Sequence, residues 1–279
     1  MSLDFSRNTD LVPLARAVKA LQAVATPLGM DFFLMGAAAR DLMMRHAHGI
    51  ETPRATRDAD FAVMVRDWAA YQALRAGLIA GGQFAEGPRA APHRLRHVDG
   101  LAIDIVPFGG VERPDRTYTW PPEHTTVFDC FGVNEAFAAS VDVRLPEDVR
   151  LKVAPIPALA ILKVCAWRDR KHTAPGQDAP DLLLFLRHYM DCGNFERAMA
   201  EHADLFEADD FDYAEAGIRL LARDMVPLVG KAGTERLLQV LVLEADANGG
   251  LLLARQSGYE LETAQRLLEV LCDELTSLM

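Results

Sequence analysis

Three aspartates in apolar surroundings are the residues of this sequence best suited to chemistry. Asp58 and Asp60 stand in "RDADFAVMV", at the head of an apolar run, and Asp104 interrupts "LAIDIV". Side chains of a strand alternate between its faces, so Asp58 and Asp60 share one face while Ala59, Phe61, Val63 and Val65 take the other. Ile103 and Ile105 lie opposite Asp104 in the same way. Carboxylates this close repel one another, and in so apolar a strand they need a partner of opposite charge. The simplest partner is a metal. An all-oxygen set on neighbouring strands suits one or two Mg²⁺ (or Mn²⁺) ions, which keep further positions for water or phosphate oxygens. Two-metal phosphoryl or nucleotidyl transfer needs such an arrangement, one ion activating the attacking oxygen and the other steadying the leaving pyrophosphate. The bland alternative is a D-x-D that merely caps a strand or turn, and Asp104 together with Gly36 weighs against it.

The surrounding pattern supplies elements to hold these groups. Residues 11–29, with Leu11, Leu14, Ala15, Val18 and Leu21 at helical spacing, predict a helix that stops near Gly29. "DFFLM" (31–35) reads as a strand and "AAARDLMMRHAH" is rich in helix formers, which puts Gly36 at a strand-to-helix junction. Backbone N–H groups there can approach a phosphate, with a helix N-terminus behind them. "DFAVMV" (60–65) is a second strand, and "DWAAYQALRAGLIAGG" a helix closed by Gly81 and Gly82. "HRLRHV" and "LAIDIV" form a hairpin across Asp99-Gly100, a dipeptide suited to a type I′ turn. "RPDRTYTWPPEH" (113–124) reads as a long loop or flap carrying Tyr118 and Trp120, and 126–153 as short strands. From about 155 the periodicity is helical, as in Leu159, Leu162, Lys163 and Ala166, or Ala264, Leu267, Leu268, Leu271 and Leu275. The expected class is α+β, a mixed or antiparallel sheet flanked by helices over 1–150, followed by a helical domain over 151–279.

Composition narrows the setting. The chain has 279 residues, half of them hydrophobic, which fits one or two globular domains. No run of 18 apolar residues occurs and "MSLDFSRNTD" is polar, so the sequence reads as cytoplasmic, with no membrane span or secretory signal. Cys130, Cys165, Cys192 and Cys272 form no C-x-x-C pair and read as buried thiols. The net charge of −11 argues against indiscriminate nucleic-acid binding. That acidity is local: Lys and Arg against Asp and Glu number 21 to 20 in residues 1–175, and 8 to 20 in 176–279. Basic clusters occur at Arg40, Arg45, Arg54 and Arg57, at Arg89, Arg94 and Arg96, and at Lys163, Arg168, Arg170 and Lys171. Solvated surface is the default reading for most of them, and a patch of Arg94, Arg96, Arg168 and Lys171 is the place to look for RNA. "HAH" (46–48) has no fixed ligand partner and reads as a loop.

With Gly36, Asp58, Asp60 and Asp104 in hand, the chain resembles the nucleotidyltransferase superfamily: an hG[GS] turn ("LMGA"), D-x-D on a strand ("RDADF") and a third Asp on a later strand ("LAIDIV"). A second segment is similar to the AbiEii-type toxins: a proline, a lysine six residues on, an alanine, an arginine and then D-x-x-D, matched by Pro157, Lys163, Ala166, Arg170, Asp178 and Asp181. The resemblance covers roughly residues 31–190. It implies a polymerase beta-like nucleotidyltransferase fold, with Asp58, Asp60 and Asp104 as metal ligands and Asp104 also as general base. It further implies Gly36, Ala37, Arg40, Lys163 and Asp178 as nucleotide-binding positions and an NTP as substrate. The acceptor is then an RNA such as tRNA, a protein or a small molecule, and the setting a toxin with an antitoxin partner. Ala37 and Gln177 depart from the pattern, Ala37 removing a hydroxyl from the phosphate turn. Alternatives are a binding protein that kept the fold and lost turnover, and a D-x-D glycosyltransferase, which does not call for Gly36, Asp104 and Lys163 together. A haloacid-dehalogenase-like phosphatase has its strand before its aspartates, the reverse of the order here.

Overall fold

A computed structural model describes residues 3–52, 58–88, 91–122, 124, 127–207, 211–245 and 249–279. Arg54, Arg57 and Arg89, named above among the basic clusters, lie outside the described residues. The chain divides into two compact units, Met1–Asp41 with Ala55–Pro155, and Leu42–Arg54 with Ile156–Met279. The second unit thus takes in a segment from early in the sequence as well as the C-terminal helices.

The first unit is built on an eight-stranded mixed sheet. In chain order its elements are β1 (Leu3–Asp4), α1 (Val12–Ala25), β2 (Phe32–Met35), α2 (Gly36–Arg40), β3 (Asp58–Val65), α3 (Trp68–Ala80), β4 (Phe84–Glu86), β5 (Arg94–His97), β6 (Ala102–Gly109), β7 (Thr117–Thr119), β8 (Val127–Asp129), α4 (Val133–Ala138), β9 (Val141–Arg144) and β10 (Arg150–Val153). The strand order is β1-β9-β10-β2-β3-β6-β5-β4, with β7 and β8 forming a separate pair. At the centre β3 runs antiparallel to β2 and parallel to β6, and β5 is antiparallel to β6. Seven of the eight residues of β6 are buried, as are Phe61, Ala62, Val63 and Val65 of β3. A central strand covered on both faces needs such a continuous apolar run, and this is why Asp104 is so conspicuous within it. Helix α1 ends through a 3-10 turn at Gly29, as its sequence predicts, and Asp67 caps α3 by accepting from the Ala70 N–H at 2.7 Å.

Three local expectations change. His46, Ala47 and His48, read as a loop, are helical, following α2 through a π-helical stretch at Asp41–His46. The segment 113–124 holds a strand, because Tyr118 is buried and stacks on Phe128 across the β7–β8 pair. The β5–β6 hairpin closes through three residues, Val98, Asp99 and Gly100, since the His97 N–H donates to the Leu101 carbonyl and the Gly100 N–H to the His97 carbonyl. Gly100 alone takes positive φ, at 92°, the form of a type I turn followed by a left-handed glycine, where a type I′ turn needs two such residues.

The second unit is helical: α5 (Ile156–Arg170), α6 (Ala179–His188), α7 (Phe195–Glu201), α8 (Tyr213–Ala245), α9 (Leu252–Gln256) and α10 (Leu261–Ser277). Helix α10 buries Ala264, Leu267, Leu268, Leu271 and Leu275, one apolar stripe. Helix α5 differs from its expected single stripe, with nine of its fifteen residues buried around most of its circumference, Lys163 among them. Helix α8 is interrupted at Gly230, three residues after Pro227. All four cysteines are buried and unpaired as disulfides; burial pushes the Cys192 and Cys272 thiols up to about 12, so they stay protonated. No helix among the described residues is long and apolar enough to cross a membrane.

Candidate active site

Strand register brings the three aspartates together. In the parallel β3–β6 pair Asp60 faces Asp104 and Asp58 faces Ala102; in the antiparallel β5–β6 pair Arg94 faces Asp104; and in β2–β3 Met35 faces Asp60. Paired residues point to one face of a sheet, so Asp60, Asp104 and Arg94 form a row across three strands, with Asp58 one step along β3 on the same side. Gly36, next after Met35, has φ 69° and opens α2 beside the row. A Cβ built there would lie 2.0 Å from Oδ2 of Asp60, so the carboxylate sits where any other residue would place its side chain. Left-handed φ and close approach both require glycine at this position.

Among the described residues, Arg94 brings positive charge to Asp58 and Asp104. Arg94 Nε donates to Oδ1 of Asp104 at 2.7 Å and Nη2 to Oδ2 at 2.6 Å, a two-pronged fork, while the same Nη2 reaches Oδ2 of Asp58 at 2.8 Å. Both oxygens of Asp104, whose side chain is 10% exposed, are thereby engaged. Hydrogen bonds of this kind, with both partners ionised, are the strong ones. The Arg94 side chain thus bridges Asp58 and Asp104, two of the three carboxylates expected to hold a metal. Among the described residues no three acidic, histidine or cysteine side chains already stand as a ligand set. Arg94, expected among the solvated surface arginines, instead binds two of the aspartates. His93 lies near, its Nε2 3.9 Å from Oδ2 of Asp104 and its ring edge-on to Trp120. Burial, with Arg94 and Arg75 close by, outweighs Asp104 and holds His93 below the ordinary histidine range, so it is neutral at pH 7. Trp120 in turn packs with Trp68, Tyr71 and Tyr118.

The remaining expected positions sit elsewhere in their own units. Ala37 lies in the first turn of α2. Arg40 is fully buried and its guanidinium donates twice to Asp41, at 2.9 and 2.6 Å. In the helical unit the Lys163 ammonium, 6% exposed, stands 3.0 Å from Asp178 and 2.7 Å from Asp181, and Arg170 holds Asp178 with two bonds. Burial alone would raise the Asp178 carboxyl, but the Arg170 bonds and the Lys163 charge win and hold it below the usual carboxylate range. Within Pro157–Asp181, buried Lys163, Asp178 and Asp181 thus form an ion cluster with half-exposed Arg170 at its edge, and Asp178 and Asp181 orient Lys163.

The sequence matches the model of the family described as "Nucleotidyl transferase AbiEii toxin, Type IV TA system" over residues 19–247, well over half of the chain. The chain belongs to the AbiEii nucleotidyltransferase toxin family. AbiEii membership makes it a nucleotidyltransferase of toxin–antitoxin type and agrees with the convergence of Asp58, Asp60 and Asp104. Solved structures similar to this AbiEii chain include an antigenic nucleotidyltransferase-like protein from Paracoccidioides brasiliensis, at 13% identity over 72% of this chain and 92% of the other, with a TM-score of 0.42. The antibiotic-resistance factor ANT(2'')-Ia is similar at 10% identity over 70% and 95%, TM-score 0.35. A tRNA-processing enzyme in an apo form is similar at 14% identity over 97% and 80%, TM-score 0.26. All three likenesses are distant. None of the curated proteins matches the sequence.

Proposed function

We propose that the protein transfers an NMP from an NTP to an acceptor hydroxyl, with Asp58, Asp60 and Asp104 holding Mg²⁺ or Mn²⁺. The observation that carries this reading is the row of carboxylates set by register, with Gly36 at its edge. Their donor set fits such an ion: every donor is a carboxylate oxygen, and a nitrogen cation already bridges two of them at 2.6 and 2.8 Å. A bound divalent ion supplies charge to the phosphates and lowers the cost of the developing negative charge. The protein's own residues do the rest. The α2 N-terminus behind Gly36 presents backbone N–H groups to the triphosphate. Asp104, once free of Arg94, accepts the proton of the acceptor hydroxyl as the oxygen forms its bond to the α-phosphorus and pyrophosphate departs with the electrons of the broken P–O bond. In this reading Lys163 binds nucleotide only by leaving its partners Asp178 and Asp181; inside the cluster its work is structural. The acceptor is an RNA, with tRNA foremost, a protein or a small molecule, and the partner expected of a toxin of this family is an antitoxin.

The test is transfer of the α-phosphate of each labelled NTP, with Mg²⁺ or Mn²⁺, into tRNA, protein and small-molecule fractions. Asp58→Asn, Asp60→Asn and Asp104→Asn should each lower transfer about a thousandfold, as loss of several kcal/mol of charge stabilisation implies. Full activity in any two of the three variants would exclude this site.

A further inference from the structure

Resting on the reading just given, we infer that Arg94 is a built-in counter-cation of the carboxylate site, which a divalent ion must displace from Asp58 and Asp104 in order to bind. Arg94 is placed by the fold and not by chance of rotamer. Its strand is hydrogen-bonded on both sides, with the Gly87 N–H donating to the Arg94 carbonyl at 3.1 Å and the Ile105 N–H to the His93 carbonyl at 2.9 Å, and its Cα is in register with Asp104. Its side chain is one-third exposed, so the guanidinium has a way out to solvent.

The geometry makes arginine and metal mutually exclusive. Nη2 is the atom that lies within 2.8 Å of both Asp58 Oδ2 and Asp104 Oδ2, the position a cation bridging those carboxylates would take. Mg²⁺ needs its oxygens at about 2.0–2.1 Å with near-octahedral spacing, and Mn²⁺ draws on the same oxygen donors, so the guanidinium cannot stay on the same two oxygens. Two positive centres held within bonding distance of one carboxylate also repel. Without the arginine, Asp58 and Asp104 would present two like charges close together on the sheet. With it, one charge is neutralised through a planar fork that a lysine, a compact point charge, cannot reproduce.

Two consequences follow from the exclusion. The metal-free protein is more stable for having Arg94, and the metal-loaded site is weaker by the work of removing it. A triphosphate that accepts the departing guanidinium would recover part of that work, so NTP and metal strengthen one another's binding by equal factors.

The test is Mn²⁺ affinity without nucleotide, read from the free-ion electron paramagnetic resonance signal, beside thermal unfolding with and without Mn²⁺. Arg94→Gln and Arg94→Ala should bind Mn²⁺ at least tenfold more tightly than the wild type, with Arg94→Lys between. The metal-free melting temperature should fall in both charge-removing variants, and Mn²⁺ should raise it by more than in the wild type. A merely structural arginine would lower melting temperature without tightening Mn²⁺. Unchanged or weakened Mn²⁺ affinity in Arg94→Gln, with binding still lost in Asp58→Asn and Asp104→Asn, overturns the displacement and leaves the carboxylate site standing. Mn²⁺ binding that depends on neither aspartate in any variant overturns both.

Discussion

A buried lysine held between two aspartates leaves them uncompensated if it is removed, and Lys163, 6% exposed between Asp178 and Asp181, is such a case. Removing one member of a buried pair strands the others, at a cost of about 3–5 kcal/mol. Lys163→Met should therefore lose about 3 kcal/mol at neutral pH in urea unfolding. The Asp178 carboxyl has its folded pKa below the unfolded value of about 4, so its contribution is complete above pH 4 and is lost as pH falls through the folded value. The deficit of the variant should accordingly narrow toward pH 3. A variant as stable as the wild type would mean that the lysine adds no net stability to the cluster. At this scale the gathering of Asp58, Asp60 and Asp104 on one face could be read from sequence, because a carboxylate in an apolar strand is costly without a partner. Arg94 could not, for a reason of one residue. A two-residue turn at Asp99-Gly100 sets Leu95 against Asp104, whereas the three-residue loop found here sets Arg94 there. A slip of one residue sends every side chain of a strand to the other face, and so an arginine of the site was grouped with the surface.

Among the elements, the turn from β2 into α2 has little room for change. Gly36 combines φ 69° with a carboxylate 2.0 Å from where a Cβ would go. Left-handed backbone alone costs an L-residue about 1–2 kcal/mol, and Asp60 must also move. Gly36→Ala should thus destabilise by about 2 kcal/mol or more in thermal unfolding and reduce NMP transfer far more than that loss predicts, whereas Ala37→Ser, one residue on, should retain stability. Strands β2, β3 and β6 were legible because each carries four to eight residues of strong alternation or continuous burial. The strands β1, β4 and β7, of two or three residues, carry too few positions for a period to show, and what makes β7 a strand is a ring on the facing strand, Phe128 against Tyr118. Helix α5 hid its partners differently: a helix buried nearly all round has no single stripe to mark its inner face.

For the molecule as a whole, the division into units is not a simple cut of the sequence. Leu42–Arg54 counts with the helical unit, Leu42 and Met44 are buried, and a Cβ built on Gly193 would stand 3.2 Å from the His48 ring. A fragment of residues 156–279 alone should therefore lack a cooperative thermal transition by circular dichroism, and the same fragment with residues 42–54 joined through a Gly/Ser linker should regain one. An equally cooperative melt in both would assign the segment no part in that unit's stability. Composition could mark the change near 155, where helical periodicity takes over, but no local pattern announces that a stretch beginning at Leu42 clusters with the residues from Ile156 onward. The same feature bears on how the protein is made. About a hundred residues separate Arg54 from Ile156, and at about 5–20 residues per second the ribosome needs some 5–20 s before it reaches the first helix of that unit. Through that interval the nascent polypeptide carries an uncovered apolar segment, a natural foothold for chaperones and the stretch at which translation speed bears on yield.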